Sequence, residues 1–349
     1  MTVVDLGVPS LGPADPAPTD GPLVDTFGRI ATDLRVSLTD RCNLRCTYCM
    51  PADGLDWLPD DQLLAPAELI RLLRIAVTRL GITSVRFTGG EPLVAKNLDD
   101  IVAATAALQP RPEITLTTNG IGLARRAAKL KDAGLDRINV SLDTVDAARF
   151  SRITRRDRLS DVLEGLAAAK AAGLDPVKVN AVLDPETGLD DAVQLLRFCI
   201  DHGYQLRIIE QMPLDADHQW QRGRAVGADD ILAALRRHFD LTPNTEPRGS
   251  APAELWRVDG DRGLVGIIAS VSHAFCSACD RTRLTADGQV RNCLFARQET
   301  DLRHLMRTGA DDDGLAAAWR AAMWAKAAGH GINDPGFVQP DRPMSAIGG

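Results

Sequence analysis

The stretch LRVSLTDRCNLRCTYCMP, residues 34–51, runs from an apolar, β-rich segment directly into three cysteines spaced Cys42-x3-Cys46-x2-Cys49. Its first half is the first of six such segments. SVRFTGG (84–90), EITLTTNG (113–120), RINVSLD (137–143), VKVNAVL (177–183) and QLRIIEQM (205–212) follow, with helical patterns between them. The helix expected over 66–80 opens with Pro66 in its first turn, where a missing N–H costs nothing, and stops at Gly81. Asn97 is placed to cap the next helix, and Gly134, Gly173 and Gly203 each stand just past another. Strand, helix, strand repeated in this way requires a parallel sheet, because each crossover returns the chain in the same direction. The strands read as apolar on both faces or nearly so, as covered parallel strands should. Six units fall two short of a closed eight-fold barrel. The expected fold is therefore α/β, a partial (βα)6 TIM-type barrel, with a doubly wound open sheet as the competing arrangement. In both, ligands gather at the carboxyl ends of the strands, where TDRCNLRC, TGGEP, TTNG, SLD, VN and EQMP all fall.

Residues 1–26 hold five prolines among small and acidic residues and are expected to form a flexible tail. The barrel is assigned to 27–226. Beyond it the rhythm changes, and 227–349 reads as a C-terminal α+β extension. An amphipathic helix, ADDILAALRRHF (228–239), precedes two antiparallel strands, ELWRVDG (254–260) and GLVGIIAS (263–270). Next comes SHAFCSACDRTRLTADGQVRNCLF (272–295), which carries Cys276-x2-Cys279-x13-Cys293. An alanine-rich helix over 313–328 holds Trp319 and Trp324 for packing.

The 349 residues are 45 % hydrophobic, enough for one large domain or two ordinary ones. There is no run of about 18 apolar residues to span a membrane, and MTVVDLGVPS lacks the features of a secretory signal. A cytoplasmic location is expected. The seven cysteines then read as metal ligands or buried thiols before disulfides, and Cys199, in LLRFCI, as a core thiol. A net charge of −7 argues against a general nucleic-acid binder. It leaves room for one local cationic pocket.

Three thiolates on one loop can reach three corners of a cubane 4Fe–4S cluster. Zinc would need a fourth ligand, and no histidine precedes residue 202. An iron without a protein ligand is an open site for a small molecule. Cys276, Cys279 and Cys293 leave two readings: zinc completed by His273 or His304, or a second cluster whose open iron faces the first across the barrel mouth. The neighbouring Arg281-Thr282-Arg283 suits an anionic ligand, since guanidinium forks match phosphate oxygens.

Cys-x3-Cys-x2-Cys at the end of a first barrel strand resembles the radical S-adenosylmethionine superfamily. In that superfamily the cofactor's amino and carboxylate groups take the open iron. Thr88-Gly89-Gly90-Glu91-Pro92 resembles its motif for the amino group, and Tyr48 the aromatic position beside the adenine. From Phe27 to Gly349 the chain is more narrowly similar to the GTP 3′,8-cyclase family. The similarity rests on DLRVSLTDRCN (33–43), Arg86 before TGGEP, TTNG, SLD, Lys178-Val179-Asn180, Met212-Pro213, the second cysteine set and the terminal glycine pair.

That resemblance implies a radical cyclisation of GTP to (8S)-3′,8-cyclo-7,8-dihydroguanosine 5′-triphosphate, the first step of molybdenum cofactor biosynthesis. It implies two 4Fe–4S clusters, one on Cys42, Cys46 and Cys49 and one on Cys276, Cys279 and Cys293. Tyr48, Gly90, Ser141 and Met212 would contact S-adenosylmethionine. Arg35, Arg86, Thr117, Lys178, Arg281, Thr282 and Arg283 would hold GTP, and Arg281, Arg283, Gly348 and Gly349 would form the catalytic set. Implied partners are a reductant such as a flavodoxin or ferredoxin and, downstream, cyclic pyranopterin monophosphate synthase. The expected assembly is a monomer or homodimer that binds neither nucleic acid nor membrane.

Overall fold

A computed structural model of the protein describes residues 16–348. The flexible tail expected over 1–26 lies outside the described residues up to Asp15, and its remainder is docked. A short ribbon pairs β1 (Leu23–Val24) with β2 (Ile30–Ala31). Leu23 is fully buried, and its N–H donates to Leu80 O over 3.1 Å. Arg320 donates to the carbonyls of Thr19 and Gly21. One leucine in the core and three backbone carbonyl or amide contacts outweigh the proline-rich composition there.

Six strands follow as the sequence predicts: β3 (Asp33–Ser37), β4 (Ser84–Thr88), β5 (Glu113–Thr118), β6 (Arg137–Ser141), β7 (Lys178–Val182) and β8 (Gln205–Ile209). They are parallel neighbours in chain order, linked by α1 (Pro66–Arg79), α2 (Leu98–Ala106), α3 (Ala127–Asp132), α4 (Ala147–Thr154), α5 (Leu159–Ala171) and α6 (Gly188–His202). The extension continues the same sheet on both sides. After α7 (Ala228–Arg236), β9 (Leu241–Pro243), β10 (Glu254–Val258) and β11 (Gly263–Ile268) form an antiparallel meander whose β11 runs parallel to β8. At the other edge β12 (Arg281–Leu284) runs parallel to β3, followed antiparallel by β13 (Gln289–Arg291) and β14 (Thr300–Asp301). β14 and β9 do not pair, so the barrel is partial.

Only one face of each strand is apolar, contrary to the reading of strands apolar on both sides. Leu34, Val36, Val85, Phe87, Ile114, Leu116, Ile138, Val140, Val179, Leu206 and Ile208 are buried in one core. Alternate residues, among them Arg35, Arg86, Asn139, Lys178, Asn180 and Arg207, turn inward, as the two-residue period of a strand demands. They surround a cavity of about 1130 Å³ lined by all eight parallel strands. A flat sheet could not line one cavity with eight strands spaced about 4.8 Å apart, so the sheet curls. The interior is a polar channel rather than the packed side-chain layers of a closed barrel. Beyond β14, α8 (Leu302–Arg307) and α9 (Asp312–Trp324) close the outer face, where Trp319 is fully buried. The chain returns to the channel through α10 (Met344–Ile347).

Candidate active site

The first cysteine loop leaves the carboxyl end of β3 and is pinned from three sides. Arg45 N and Thr47 N donate to Thr154 O and Ile153 O, each over 3.0 Å. Gly90 N donates to Thr39 O (2.7 Å) and Glu91 N to Arg41 O (2.8 Å). This explains the paired glycines. A Cβ on Gly90 would run into the carbonyls of Asp40 and Arg41, and Gly89 holds φ 143° with Thr39 against it. Gly90 therefore packs directly against the cysteine loop, a closeness that a side chain would prevent. Glu91, fully buried, accepts from Leu93 N (2.9 Å), Thr118 Oγ1 (2.6 Å) and Asn119 N (2.6 Å), tying this turn to the end of β5. Asn119 in turn donates to Asn43 Oδ1 (2.7 Å) and reaches Cys42 Sγ at 3.8 Å.

Cys42, Cys46 and Cys49 are unbridged and partly exposed. Burial pushes all three thiols up, Cys49 to about 12, with Asp143 adding to the effect on Cys46 and Cys42 to that on Cys49. Such a pocket disfavours bare thiolates, and a cationic iron centre offsets that cost. The donor set fits an iron–sulfur cluster. Tyr48 donates to Asp143 Oδ2 (2.8 Å), while Asp143 Oδ1 accepts from Val182 N (2.9 Å). Tyr48, Ser141 and Met212 line the carboxyl end of the channel beside this loop.

Cys276, Cys279 and Cys293 are also unbridged and line the same channel, at its other end. Asp280 O accepts from Thr32 N and Asp33 N at the start of β3, and Cys293 follows the strand antiparallel to β12. The two triads thus stand at opposite ends of the barrel, which corrects the expectation that both share the mouth. Among the described residues, neither histidine that the sequence offered to zinc is in reach here. His273 is well exposed and faces Asp229, and His304 is exposed on α8; neither lines the channel. The histidine that does, His330, uses Nε2 on Ser270 O (3.1 Å) and Nδ1 on Ile332 N (3.1 Å). Among the described residues no three His, Cys, Asp or Glu side chains converge on a single-ion site. Three thiols spread around a cavity wall suit the corners of a cluster.

Between the triads lie the cations. Arg35, Arg86 and Arg283 stand in register across β3, β4 and β12, with Arg281, Lys178, Arg137 and Arg207 nearby on the same wall. Arg35 Nε, Arg86 Nε and Arg281 Nε and Nη2 are buried without a hydrogen-bond partner. Burial first, then mutual repulsion, pulls Arg86 down to about 10 and Lys178 to about 7, and holds Arg283 well below the ordinary guanidinium value. A row of desolvated cations with so few counter-charges is complete only with a polyanion. These residues sit at mid-strand or, for Arg137, Lys178 and Arg281, at the amino end, and not at the carboxyl mouth. Thr117 lines the channel; Thr282 does not. Its side chain faces outward and is fully buried, accepting from Trp319 Nε1 over 3.1 Å. Arg137 and Arg207 were missed, although a charge inside the apolar run QLRII carries the same signal as Lys178.

The C-terminus enters from the carboxyl end. Ser37 Oγ donates to Ile347 O (2.9 Å) and Arg283 to Gly348 O. Gly348 has φ 84°, and a Cβ there would collide with Ser37 Oγ. Gly349 lies outside the described residues.

The sign of one pH effect follows. Lys178 is neutral in the empty channel above pH 7, but a bound polyanion favours its charged form. Affinity for GTP should fall by up to about tenfold per pH unit between pH 7 and 9. Lys178→Ala should bind more weakly at pH 6.5 and lose most of that slope; calorimetric titration at several pH values checks both.

A curled parallel sheet with a three-cysteine loop after its first strand defines the class as the radical S-adenosylmethionine fold. The Radical SAM superfamily matches residues 36–199, and Molybdenum Cofactor Synthesis C matches 204–332. Streptococcus suis SuiB bound to S-adenosylmethionine shares the fold at TM-score 0.53 and 15 % identity, over 82 % of this chain and 67 % of that one. Native anSMEcpe with bound AdoMet does so at TM-score 0.54 and 16 % identity, over 80 % and 82 %. A GTP 3′,8-cyclase of Mycobacterium sp. (strain KMS) is 79 % identical over the whole of both chains, and that of Mycolicibacterium smegmatis 74 %. GTP 3′,8-cyclase 2 of Mycobacterium tuberculosis (strain H37Rv) is 71 % identical, again over both full lengths. The chain belongs to the GTP 3′,8-cyclase family.

Proposed function

We propose that this chain converts GTP to (8S)-3′,8-cyclo-7,8-dihydroguanosine 5′-triphosphate, using S-adenosylmethionine and two 4Fe–4S clusters, as the first step of molybdenum cofactor biosynthesis. The observation that carries the reading is a row of buried, under-partnered cations in a channel lined at one end by Cys276, Cys279 and Cys293 and at the other by Tyr48 of the first cysteine loop. The channel's volume of about 1130 Å³ leaves room for a nucleotide with its triphosphate on the cations, its base toward Cys276, Cys279 and Cys293, and its ribose toward the first loop.

The reaction removes a hydrogen atom from the ribose 3′ carbon, joins that carbon to C8 of the guanine, and adds one electron and one proton. The one-electron chemistry that opens the C–H bond is what the first cluster and S-adenosylmethionine supply when bound. The chain's own part is placement. Arg35, Arg86, Lys178, Arg281 and Arg283 take the phosphate oxygens, with Thr117 beside them; of residues 281–283, Thr282 contributes through its backbone. Tyr48, Gly90, Ser141 and Met212 flank the cofactor, and the Gly89-Gly90 turn also holds the cysteine loop in position. Gly348 narrows the carboxyl opening and helps to exclude water from the ribose. In the cell, a reductant such as a flavodoxin or ferredoxin delivers the electrons in the cytoplasm. Cyclic pyranopterin monophosphate synthase consumes the product, and the enzyme works as a monomer or homodimer.

Anaerobic protein with dithionite, S-adenosylmethionine and GTP should release 5′-deoxyadenosine and consume GTP. Equal 5′-deoxyadenosine without GTP, with other triphosphates serving as well, would overturn the substrate assignment.

A further inference from the structure

The second cysteine set has a buried cation that the proposed reaction leaves without a role. Lys326 follows α9 and is only 4 % exposed. Its Nζ lies 3.3 Å from Cys279 Sγ, 2.9 Å from Arg281 O and 3.4 Å from Cys279 O. Three N–H donors meet three acceptors, of which the thiol sulfur is the only side-chain atom. Among the described residues no carboxylate forms an ion pair with this ammonium.

The segment carrying Lys326 is itself clamped. Arg29 Nη1 donates to Cys276 O (2.7 Å) and Ala328 O (2.8 Å), and Nη2 to Ala327 O (2.6 Å). Its Nε meets the buried Asp25 at 2.6 Å. The N-terminal ribbon, the cysteine turn and the Lys326 segment therefore form one fixed unit. A lysine needed only for packing would not require its charged end to be desolvated against a sulfur, since burying an ammonium is costly unless its partner is an anion.

We propose that Lys326 is a positioning and potential-setting residue for the second cluster. Its ammonium orients the Cys279 thiolate by a charge-assisted hydrogen bond and raises the reduction potential of the iron centre on Cys276, Cys279 and Cys293. The inference rests on the two-cluster reading. A fixed positive charge beside a cluster stabilises the more negative, reduced state, and hydrogen bonds to ligand sulfurs act in the same direction.

The test is an anaerobic redox titration of the full chain followed by electron paramagnetic resonance, with iron measured on the same samples. The signal missing in Cys293→Ala identifies the second cluster. Lys326→Met keeps the length and apolar stem. It should shift the second cluster's reduced-to-oxidised ratio about tenfold toward oxidised at a given potential, which is about 59 mV downward for one electron. The first cluster should not move, and Lys326→Arg should stay near the native value. If Lys326→Met loses the second cluster outright, restoration to about eight irons in Lys326→Arg supports positioning, and equal loss in both variants overturns it. Eight irons with an unmoved potential in Lys326→Met overturns this proposal alone. Four irons in the unsubstituted protein overturns the two-cluster reading and this proposal with it.

Discussion

Cys279→Ala is expected to halve the iron of anaerobically prepared protein, from about eight to about four per chain, and to abolish GTP consumption. The loss should be complete because, among the described residues, no histidine is free to substitute. His330 spends both ring nitrogens on backbone groups, and His273 and His304 do not line the channel. Two remaining thiols cannot retain a cubane. The first cluster should survive, because it is held at the opposite end of the barrel by β3, β4 and β5 and shares no loop with Cys279. Residual iron should therefore still cleave S-adenosylmethionine slowly. Iron, sulfide and zinc analysis reads the result directly. Eight irons retained in the variant, or zinc in place of iron in the native protein, would dismantle the second centre.

The second large effect is expected at Arg283. Its side chain is 5 % exposed, at the β12 end of the cation row beside Arg35. A charged hydrogen bond to a phosphate contributes about 1.5–3 kcal/mol, so Arg283→Ala should lower kcat/KM for GTP roughly 10- to 150-fold, with both clusters kept. A structural role makes the opposite prediction for stability. Burial, Arg35 and Arg281 all work against the charge on Arg283 in the empty channel. Removing it relieves repulsion, so the nucleotide-free Tm should hold or rise, while the stabilisation conferred by added GTP shrinks. Arg283→Lys retains charge without the planar fork and should recover part of the activity. Turnover unchanged in Arg283→Ala would take the cationic wall out of the reaction.

Much of this was legible in one dimension. The period-two strands, the proline and glycine marks at helix ends, and Cys42-x3-Cys46-x2-Cys49 after the first strand are local signals, and the described structure places each where local rules put it. Lys178 was conspicuous as a charge in an apolar strand. The errors share a cause. The inward faces of β3 to β8 read as nearly apolar because single charges are diluted among outward valines and isoleucines, and only curvature brings those charges together. Thr282 stands between two inward arginines and so must point outward, a parity that needs the strand's register to be known.

The sequence by itself determined the repeating strand–helix unit, the two incomplete thiol sets and their chemistry, because hydrophobic period and ligand spacing act over a few residues. Tertiary structure alone decided that the thiol sets stand at opposite ends of the barrel with the cations between them. That follows from β12 pairing parallel with β3 and β11 with β8, contacts across more than fifty and up to about 250 residues of chain. Backbone hydrogen bonding sets those pairings without leaving a mark in either local stretch.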